Sequence, residues 1–340
     1  MTAPALATPV NDLPPWIAAQ TTELLAQRGH AWLLAGPSGL GQYPLALALV
    51  RAWLCEHPTP QGACGRCGSC HAIDVRTHAD LCVLMPETSM LALGWPLSEK
   101  AQNEIDEKKR KPSKEIRVDA MRDAVEFSQR TSARGLGKAV LVFPAEDMNN
   151  VTANALLKTL EEPPGDVKFV LATQAAHQLL PTIRSRCLWH TMRWPGAAEG
   201  QEWLQTQGLS AAQAQQALLA CGARPQDALA FFQSGRDAGA WSGFPRAMAR
   251  GDVSFVRDWS PAELLMGQHK LCHDLLAVSV GASPRFFAVN DLLPSASLAA
   301  LSQWGKALTG QHRAIDHPFN PGLLLEALVT QAQRALTATP

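Results

Sequence analysis

A glycine-rich turn between two apolar runs near the start of the chain constrains the fold more than any other stretch. Ala31-Trp32-Leu33-Leu34 leads into Gly36-Pro37-Ser38-Gly39-Leu40-Gly41-Gln42-Tyr43, and an apolar segment from Leu45 to Leu54 follows. The spacing is that of a strand, a phosphate loop and a helix, G-x-x-x-x-G-K-[ST]. Gln42 stands where that pattern has Lys, and Tyr43 where it has Ser or Thr. The lysine brings positive charge to the β- and γ-phosphates, and the hydroxyl binds Mg²⁺. A neutral amide and a bulky phenol do neither. The glycines still permit a tight turn into a helix, so the architecture is expected to persist without its chemistry.

A second nucleotide element is altered in the same direction. In a phosphate-loop ATPase a later strand ends in Asp-Glu, and the Asp helps to hold Mg²⁺. Val140-Leu141-Val142-Phe143 reads as a buried strand but runs into Pro144-Ala145, with Glu146 and Asp147 two positions late and in reverse order. Side chains alternate faces along a strand, so such a slip followed by a turn seldom restores a metal ligand. Two independent losses predict a chain that does not hydrolyse ATP. The competing expectation is an active ATPase in which Gln42 and Asp147 substitute, and turnover of Mg²⁺-ATP by the isolated chain separates the two.

The 340 residues are enough for two or three domains with a substantial core. Thirty basic and thirty acidic residues balance, so the overall basic footprint of a nucleic-acid binder is missing. Met1 to Pro15 has no basic segment followed by an apolar one, and reads as no secretory leader. No apolar run approaches the ~20 residues of a membrane span. A cytoplasmic location is the expectation. Eight cysteines in such a chain point to metal ligands or buried thiols rather than a disulfide framework.

Residues 15–194 alternate strand-like and helical runs, as expected of an α/β domain, 1–194, with a largely parallel sheet. Its strands are predicted at Trp32 to Ala35, Asp80 to Met85, Ala139 to Phe143 and Lys168 to Thr173. An insertion at 87–114 separates the second from the third. Its later part, Glu99 to Lys114, carries both charge signs and reads as solvated and mobile. The helix Val118 to Gln129 follows. After Trp194-Pro195-Gly196 the pattern becomes helical, as in Ala211 to Cys221 and Asp227 to Phe232. A break from Ser234 to Pro245 then divides a small helical domain, 195–239, from a helical C-terminal domain, 240–340, that ends in Pro321 to Leu336.

Cys64-Gly-Arg-Cys67-Gly-Ser-Cys70 places three thiols at two-residue spacing, and Cys55 lies nine positions upstream. Small intervening residues let the backbone fold around one ion, and four thiolates complete a closed, structural Zn²⁺ site. A redox C-x-x-C pair would use two of these cysteines and leave the others idle. His57 or His71 remains open as a replacement ligand. Cys82, Cys221 and Cys272 read as buried thiols. Further on, Asn154 to Pro164 is an amphipathic helix stopped by a proline pair, and Ile183-Arg184-Ser185-Arg186-Cys187 follows the next strand. A lone arginine in a loop is ordinarily a solvated charge, but its planar fork suits a phosphate offered by another subunit.

Taken together these residues resemble the bacterial DNA polymerase III clamp-loader subunits of the AAA+ class, and within them the delta-prime branch. The similarity runs over most of residues 15–340, outside Glu87 to Lys114. Its most specific pieces are Cys55 with Cys64-x-x-Cys67-x-x-Cys70, Ile116-Arg117-Val118-Asp119, Ala155 to Pro164, and Ser185-Arg186-Cys187. The resemblance implies that Arg186 is an arginine finger acting in trans, that the four cysteines bind zinc, and that Thr173 holds the sensor position. It implies a lid in 195–239 and an oligomerisation collar in 240–340, the last helix of which begins at Asn320-Pro321. The motor branch, gamma or tau, keeps the Lys-Thr loop and the Asp-Glu strand end that this chain lacks. Gln226 stands where that branch has its second-sensor arginine. The implied role is an ATPase-inactive stator in a hetero-pentamer with gamma/tau and delta subunits, loading the sliding clamp onto primer-template DNA. An active gamma/tau-like ATPase and a zinc-dependent DNA-binding module are the other two expectations. The neutral charge and the few aromatic residues of the cysteine cluster weigh against the last.

Overall fold

Alternating polar and apolar residues mark a strand with one wet face, whereas continuous apolar runs mark one buried on both faces. The computed structural model, which describes residues 13–234, 238–293, 296–314 and 319–337, realises the second case at the centre of its sheet. The strands are β1 (Ala31–Ala35), β2 (Leu81–Leu84), β3 (Lys138–Val142), β4 (Val167–Thr173) and β5 (Leu188–Thr191). They lie in the order β2-β3-β4-β1-β5, and every pair is parallel. β1 and β3 are buried at every position, and β4 at all but Lys168. The register sets Ala31 beside Phe169 and Ala35 beside Thr173, with Trp32 beside Leu188 on the other flank.

Among the described residues, eight α-helices accompany the sheet within the first compact unit, Met1–Glu199. They are α1 (Pro15–Leu25), α2 (Gln42–Trp53), α3 (Gly68–Asp74), α4 (Glu87–Ala92), α5 (Glu99–Asp106), α6 (Val118–Gln129), α7 (Asn150–Glu161) and α8 (Pro181–Arg184). Met121 and Ala124 of α6 and Leu156 and Leu160 of α7 bury against Leu33, Val140, Val142 and Leu171 of the sheet. The helix α7 begins earlier than its apolar pattern predicts, because Asn149 caps it by accepting the Thr152 N–H at 3.0 Å.

Three differences from the sequence reading have physical causes. First, β5 is a strand that hydrophobicity does not announce: three of its four residues are exposed because it is the sheet's edge. Second, the 87–114 insertion is largely exposed, as expected, but carries α4 and α5 and is tied down by Arg110. That guanidinium grips the buried Glu87 at 2.8 Å and Glu104 at 2.7 Å, and Glu87 also accepts the Ser113 N–H at 2.8 Å. Third, the break at Ser234 to Pro245 is shorter than expected. Its residues 235–237 lie outside the described residues, but a helix starts at Ala238 and carries Pro245 in its interior. The aromatic packing of Trp241 on Phe244 and Phe287, with ring centroids 5.4 and 4.8 Å apart, compensates for the hydrogen bond that Pro245 removes.

The second unit, Gly200–Pro340, contains helices and no strand among its described residues. Its helices are α9 (Ala197–Thr206, entering from the first unit), α10 (Ala211–Ala220), α11 (Pro225–Gln233), α12 (Ala238–Arg250), α13 (Pro261–Ser279), α14 (Leu298–Ala314) and α15 (Pro321–Thr337). Phe244, Leu264, Leu271, Trp304, Leu308 and Leu328 form the core shared by α12, α13, α14 and α15. No helix among the described residues is long and apolar enough to cross a membrane. The stretch from which a secretory leader is read as missing lies mostly outside those residues.

One buried carboxylate organises the loop that feeds β3. Asp80 accepts the N–H groups of Ala133 and Arg134 at 2.7 and 2.9 Å and the Ser132 hydroxyl at 3.0 Å. Burial raises its pKa, but these three donors outweigh burial and hold the carboxyl below the usual range. Stability from such a group is complete above its unfolded pKa and is lost as pH falls through the lowered folded value. Asp80→Asn turns an amide N–H toward backbone donors. We predict a loss of about 1–3 kcal/mol at neutral pH, with the deficit shrinking below about pH 4. Denaturant melts at pH 7 and pH 3 measure both.

Candidate functional site

The phosphate loop sits where parallel α/β folds place ligands, beyond the C-terminal end of a central strand. Gly41 caps α2 with φ of 96°, in the left-handed region open to glycine. A Cβ on Gly36 would lie 2.7 Å from the Cβ of Met192, so only glycine fits there. The loop is closed by its own polar groups. Gln42 is buried, and its amide N–H₂ donates to the carbonyls of Gly36 at 2.6 Å and Pro37 at 2.7 Å. The Trp16 indole N–H donates to the Leu40 carbonyl at 3.2 Å, and the Gly36 N–H to the Thr173 carbonyl at 3.3 Å.

Tyr43 turns its ring away from water. It lies 5.6 Å from the Phe143 ring centroid, and its hydroxyl accepts the Trp95 indole N–H at 2.8 Å. Trp95 belongs to the 87–114 insertion, and the Arg76 guanidinium stacks 4.4 Å above it. Burial raises the Tyr43 phenol, and Arg76 partly offsets this. The insertion thus reaches the position at which an active phosphate loop carries its magnesium-binding hydroxyl. The sequence gives no hint of this contact, because Trp95 is 52 residues from Tyr43.

The two late carboxylates fall in a short turn after β3. Glu146 accepts the Gln174 N–H at 2.9 Å, directly after Thr173. The Thr173 hydroxyl accepts the Ala175 N–H at 3.1 Å. Asp147 has its carboxyl pushed up to about 6 by burial, helped by Glu146 and Glu115. Glu146 is therefore engaged with backbone, and Asp147 sits where an ionised carboxylate is disfavoured.

Arg186 lies between α8 and β5. Its guanidinium donates to Glu161 at 3.0 and 3.2 Å and to the Thr182 carbonyl at 3.1 Å. Its position follows from the register. Trp32 of β1 pairs with Leu188, so Arg186 precedes the N-terminal end of β5, whereas the phosphate loop follows the C-terminal end of β1. A five-residue strand spans about 16 Å. The structure therefore places Arg186 and the phosphate loop at opposite ends of the sheet. Cys187 beside it is half-buried, its thiol pushed up to about 12 by burial.

The cysteines converge. Cys55 follows α2, and Cys67 caps α3 by accepting the Cys70 N–H at 3.4 Å. The sulfurs of Cys55, Cys64, Cys67 and Cys70 all lie within 4.8 Å of one another. Zinc–thiolate bonds of about 2.3 Å give a tetrahedron with edges of about 3.8 Å. The Cys55–Cys67 and Cys55–Cys70 separations are both 3.8 Å. Neither His57 nor His71 joins the converging set among the described residues. His57 instead offers its backbone N–H to the Cys55 sulfur at 3.4 Å, and Cys64 does so at 3.2 Å. The four-sulfur set fits a metal such as zinc. Around it, Glu56 accepts from Ser69 and Arg134, both at 3.0 Å, and joins the module to the loop that Asp80 organises. Of the other cysteines, Cys221 and Cys272 are buried and Cys82 is half-buried.

Known proteins match this arrangement. A family model described as DNA polymerase III, delta subunit, matches residues 20–194, just over half of the chain. The DNA polymerase III subunit delta' of Pseudomonas aeruginosa is 41% identical over 195 residues, covering 57% of this chain and 52% of that protein. Subunit delta' of Escherichia coli is 34% identical over 228 residues, covering 64% and 60%. Subunit tau of Escherichia coli is 34% identical over 159 residues, 47% of this chain and 21% of tau. The chain thus spans only about half to three fifths of the length of these delta' relatives. A solved structure of a DNA polymerase III gamma subunit-related protein from Thermotoga maritima covers 94% of this chain and 99% of its own, with a TM-score of 0.51 at 16% identity, a likeness of fold alone. With the family model matched across the phosphate loop, the cysteine cluster and Arg186, the chain belongs to the DNA polymerase III delta subunit family.

Proposed function

We propose that this chain is a delta-prime-type stator of a clamp loader: it hydrolyses no ATP and lends Arg186 to the nucleotide held by a neighbouring subunit. The observation that carries this reading is the distance along the sheet between Arg186 and the chain's own phosphate loop. A guanidinium at the far end of the sheet meets a phosphate only if another chain supplies it. Glu161 holds the fork ready, and at 59% exposure its carboxylate makes an ion pair that another anion displaces readily, since exposed pairs contribute only about 0–1 kcal/mol. A neighbour's γ-phosphate, carrying more charge, is such an anion.

The gamma/tau and delta subunits are the expected neighbours. The 195–239 segment serves as lid and 240–340 as collar, with the sliding clamp and primer-template DNA engaged through the assembly in the cytoplasm. The metal, Zn²⁺ in this reading, is structural: four thiolates leave no open coordination position. Gln42 supports the ATPase-inactive reading, because its amide satisfies the loop carbonyls and brings no charge to them.

Arg186→Ala is expected to leave the fold and the assembly intact and to slow hydrolysis at the neighbouring site by about 10³-fold. In the assembled complex this reads as a partial loss, since the other motor sites keep their own fingers. Unchanged ATPase in the reconstituted complex removes the trans-finger reading. Restoring the loop with Gln42→Lys and Tyr43→Thr together is expected to give no phosphate release from the isolated chain, because Pro144-Ala145 still offers no carboxylate at the strand end. Steady turnover by that variant, or by the unaltered chain, favours the active-ATPase reading instead. Cys67→Ser is expected to abolish stoichiometric zinc by atomic emission and to lower the melting temperature without acting on hydrolysis directly.

A further inference from the structure

A cavity of about 480 Å³ opens beside β2, the sheet edge opposite β5. Cys82, Val83, Leu84 and Met85 all line it. A sheet face presents every second residue of a strand, so four in a row mean that the cavity meets β2 edge-on. The ladder to β3 agrees. The Asp80 and Leu84 carbonyls accept the N–H groups of Ala139 and Phe143, both at 3.0 Å. Alternation gives Cys82 the same direction and turns the N–H and C=O of Val83 outward. No hydrogen bond from another described residue reaches that outer pair.

An open strand edge is ordinarily paired, blunted or covered. Here the 87–114 insertion covers it at a distance. Arg110 holds α4 and α5 together through Glu87 and Glu104, and Met90, Leu97 and Ala101 give the cavity an apolar wall. The result is a slot with unpaired backbone and apolar side chains along it. We propose that this slot takes an extended peptide segment of a protein partner, which adds a strand to β2 and carries an apolar side chain between an acidic and a basic one. The four lining strand residues span about 13 Å, so the segment is about four or five residues long. The inference does not depend on the role of Arg186.

Charge chooses that occupant. Arg110 is paired with Glu87 and Glu104, and Asp119 has Arg122 at 3.5 Å. The remaining charges on the lining, Lys100, Arg117 and Asp123, form no ion pair among the described residues. They divide between the two ends of the strand. Glu87 and Glu104, beyond the C-terminal end of β2, are held below the usual carboxylate range by Arg110 first and Arg117 after it. Asp123 acts instead on Cys82, whose thiol burial pushes up to about 12. Carboxylates on the lining outnumber cations, with Glu87, Glu104, Asp119 and Asp123 against Lys100, Arg110 and Arg117. A nucleic-acid strand needs the opposite surplus. A peptide supplies both signs and the backbone groups that Val83 is missing. Residues 1–12 of this chain contain no basic side chain, which sets them aside as the occupant.

Random eight-residue peptides displayed on phage and selected on the full chain test this. The enriched sequences are then synthesised with and without N-methyl groups on alternate amides, and their affinities are measured by fluorescence anisotropy. The expected sequences place an apolar residue between opposite charges, and N-methylation weakens them about tenfold or more. Val83→Pro removes the outward N–H, a change that edge strands tolerate, and is expected to cost a similar factor. Ala101→Trp fills the slot from α5 without touching the strand and is expected to do the same, which keeps the test decisive if Val83→Pro fails to fold. Arg117→Glu is expected to lower affinity for the acidic end and to restore it for peptides with that charge reversed. Melting curves verify the fold of each variant. The proposal is overturned if selection enriches nothing, if N-methylated peptides bind as tightly, or if Ala101→Trp binds them unchanged. Displacement of the peptide by single-stranded DNA, or self-association that disappears in Ala101→Trp, gives the slot another occupant and overturns it equally.

Discussion

Parallel pairing is the constraint from which the layout of this molecule follows. Because all five strands run the same way, every strand's C-terminal end opens on one edge of the sheet and every N-terminal end on the other. The loop after β1, the turn after β3 and Thr173 at the end of β4 gather on the first edge. The linkers that enter β4 and β5, with Glu161 and Arg186, gather on the second. Burial of β1, β3 and β4 on both faces makes that arrangement rigid, since a slip of one residue would exchange side chains between two packed faces that each fit only one set. A chain built this way cannot bring its own arginine to its own loop. Its two chemically suggestive features therefore lie at opposite edges of the sheet instead of facing each other.

The phosphate loop illustrates how a binding element is kept folded after its charge is gone. A lysine there is a cation that needs an anion, and its protein surroundings rarely leave it buried alone. Gln42 needs only acceptors, and the carbonyls of Gly36 and Pro37 supply them within the loop itself. Tyr43 fills its corner against Phe143 and satisfies its hydroxyl with Trp95. Three carbonyls of the loop and the Tyr43 hydroxyl are thus paired within the protein.

Legibility in the sequence followed chain proximity. The three buried strands, the cysteine quartet and the helix Val118–Gln129 were readable because each is specified by residues a few positions apart. The cysteine spacing was enough for the four sulfurs, though not to exclude His57 and His71, since only the folded backbone shows that His57 contributes an N–H and no ring. What escaped was set by tertiary context. An edge strand with exposed Leu188 and Trp189 has no apolar signature, and Pro245 sits inside α12 only because Trp241 and Phe244 anchor that helix in an aromatic stack. The closing of the loop by Trp95 was illegible for the same reason: it joins an insertion to a motif across 52 residues.

The metal module connects these regions mechanically. Glu56 stands next to Cys55 and accepts from Ser69 and Arg134, while the backbone of Arg134 is held by Asp80 just before β2. Arg51 of α2 pairs with Asp74 at the end of α3. The helix that begins at the phosphate loop is therefore bound at its far end to the cysteine module, and that module is bound to the loop entering β3. Four thiols within 4.8 Å cannot all ionise in the absence of a cation, because like charges at that distance oppose one another. A metal removes that opposition and fixes the two connections at once. Its contribution is then to the stiffness of the sheet's surroundings.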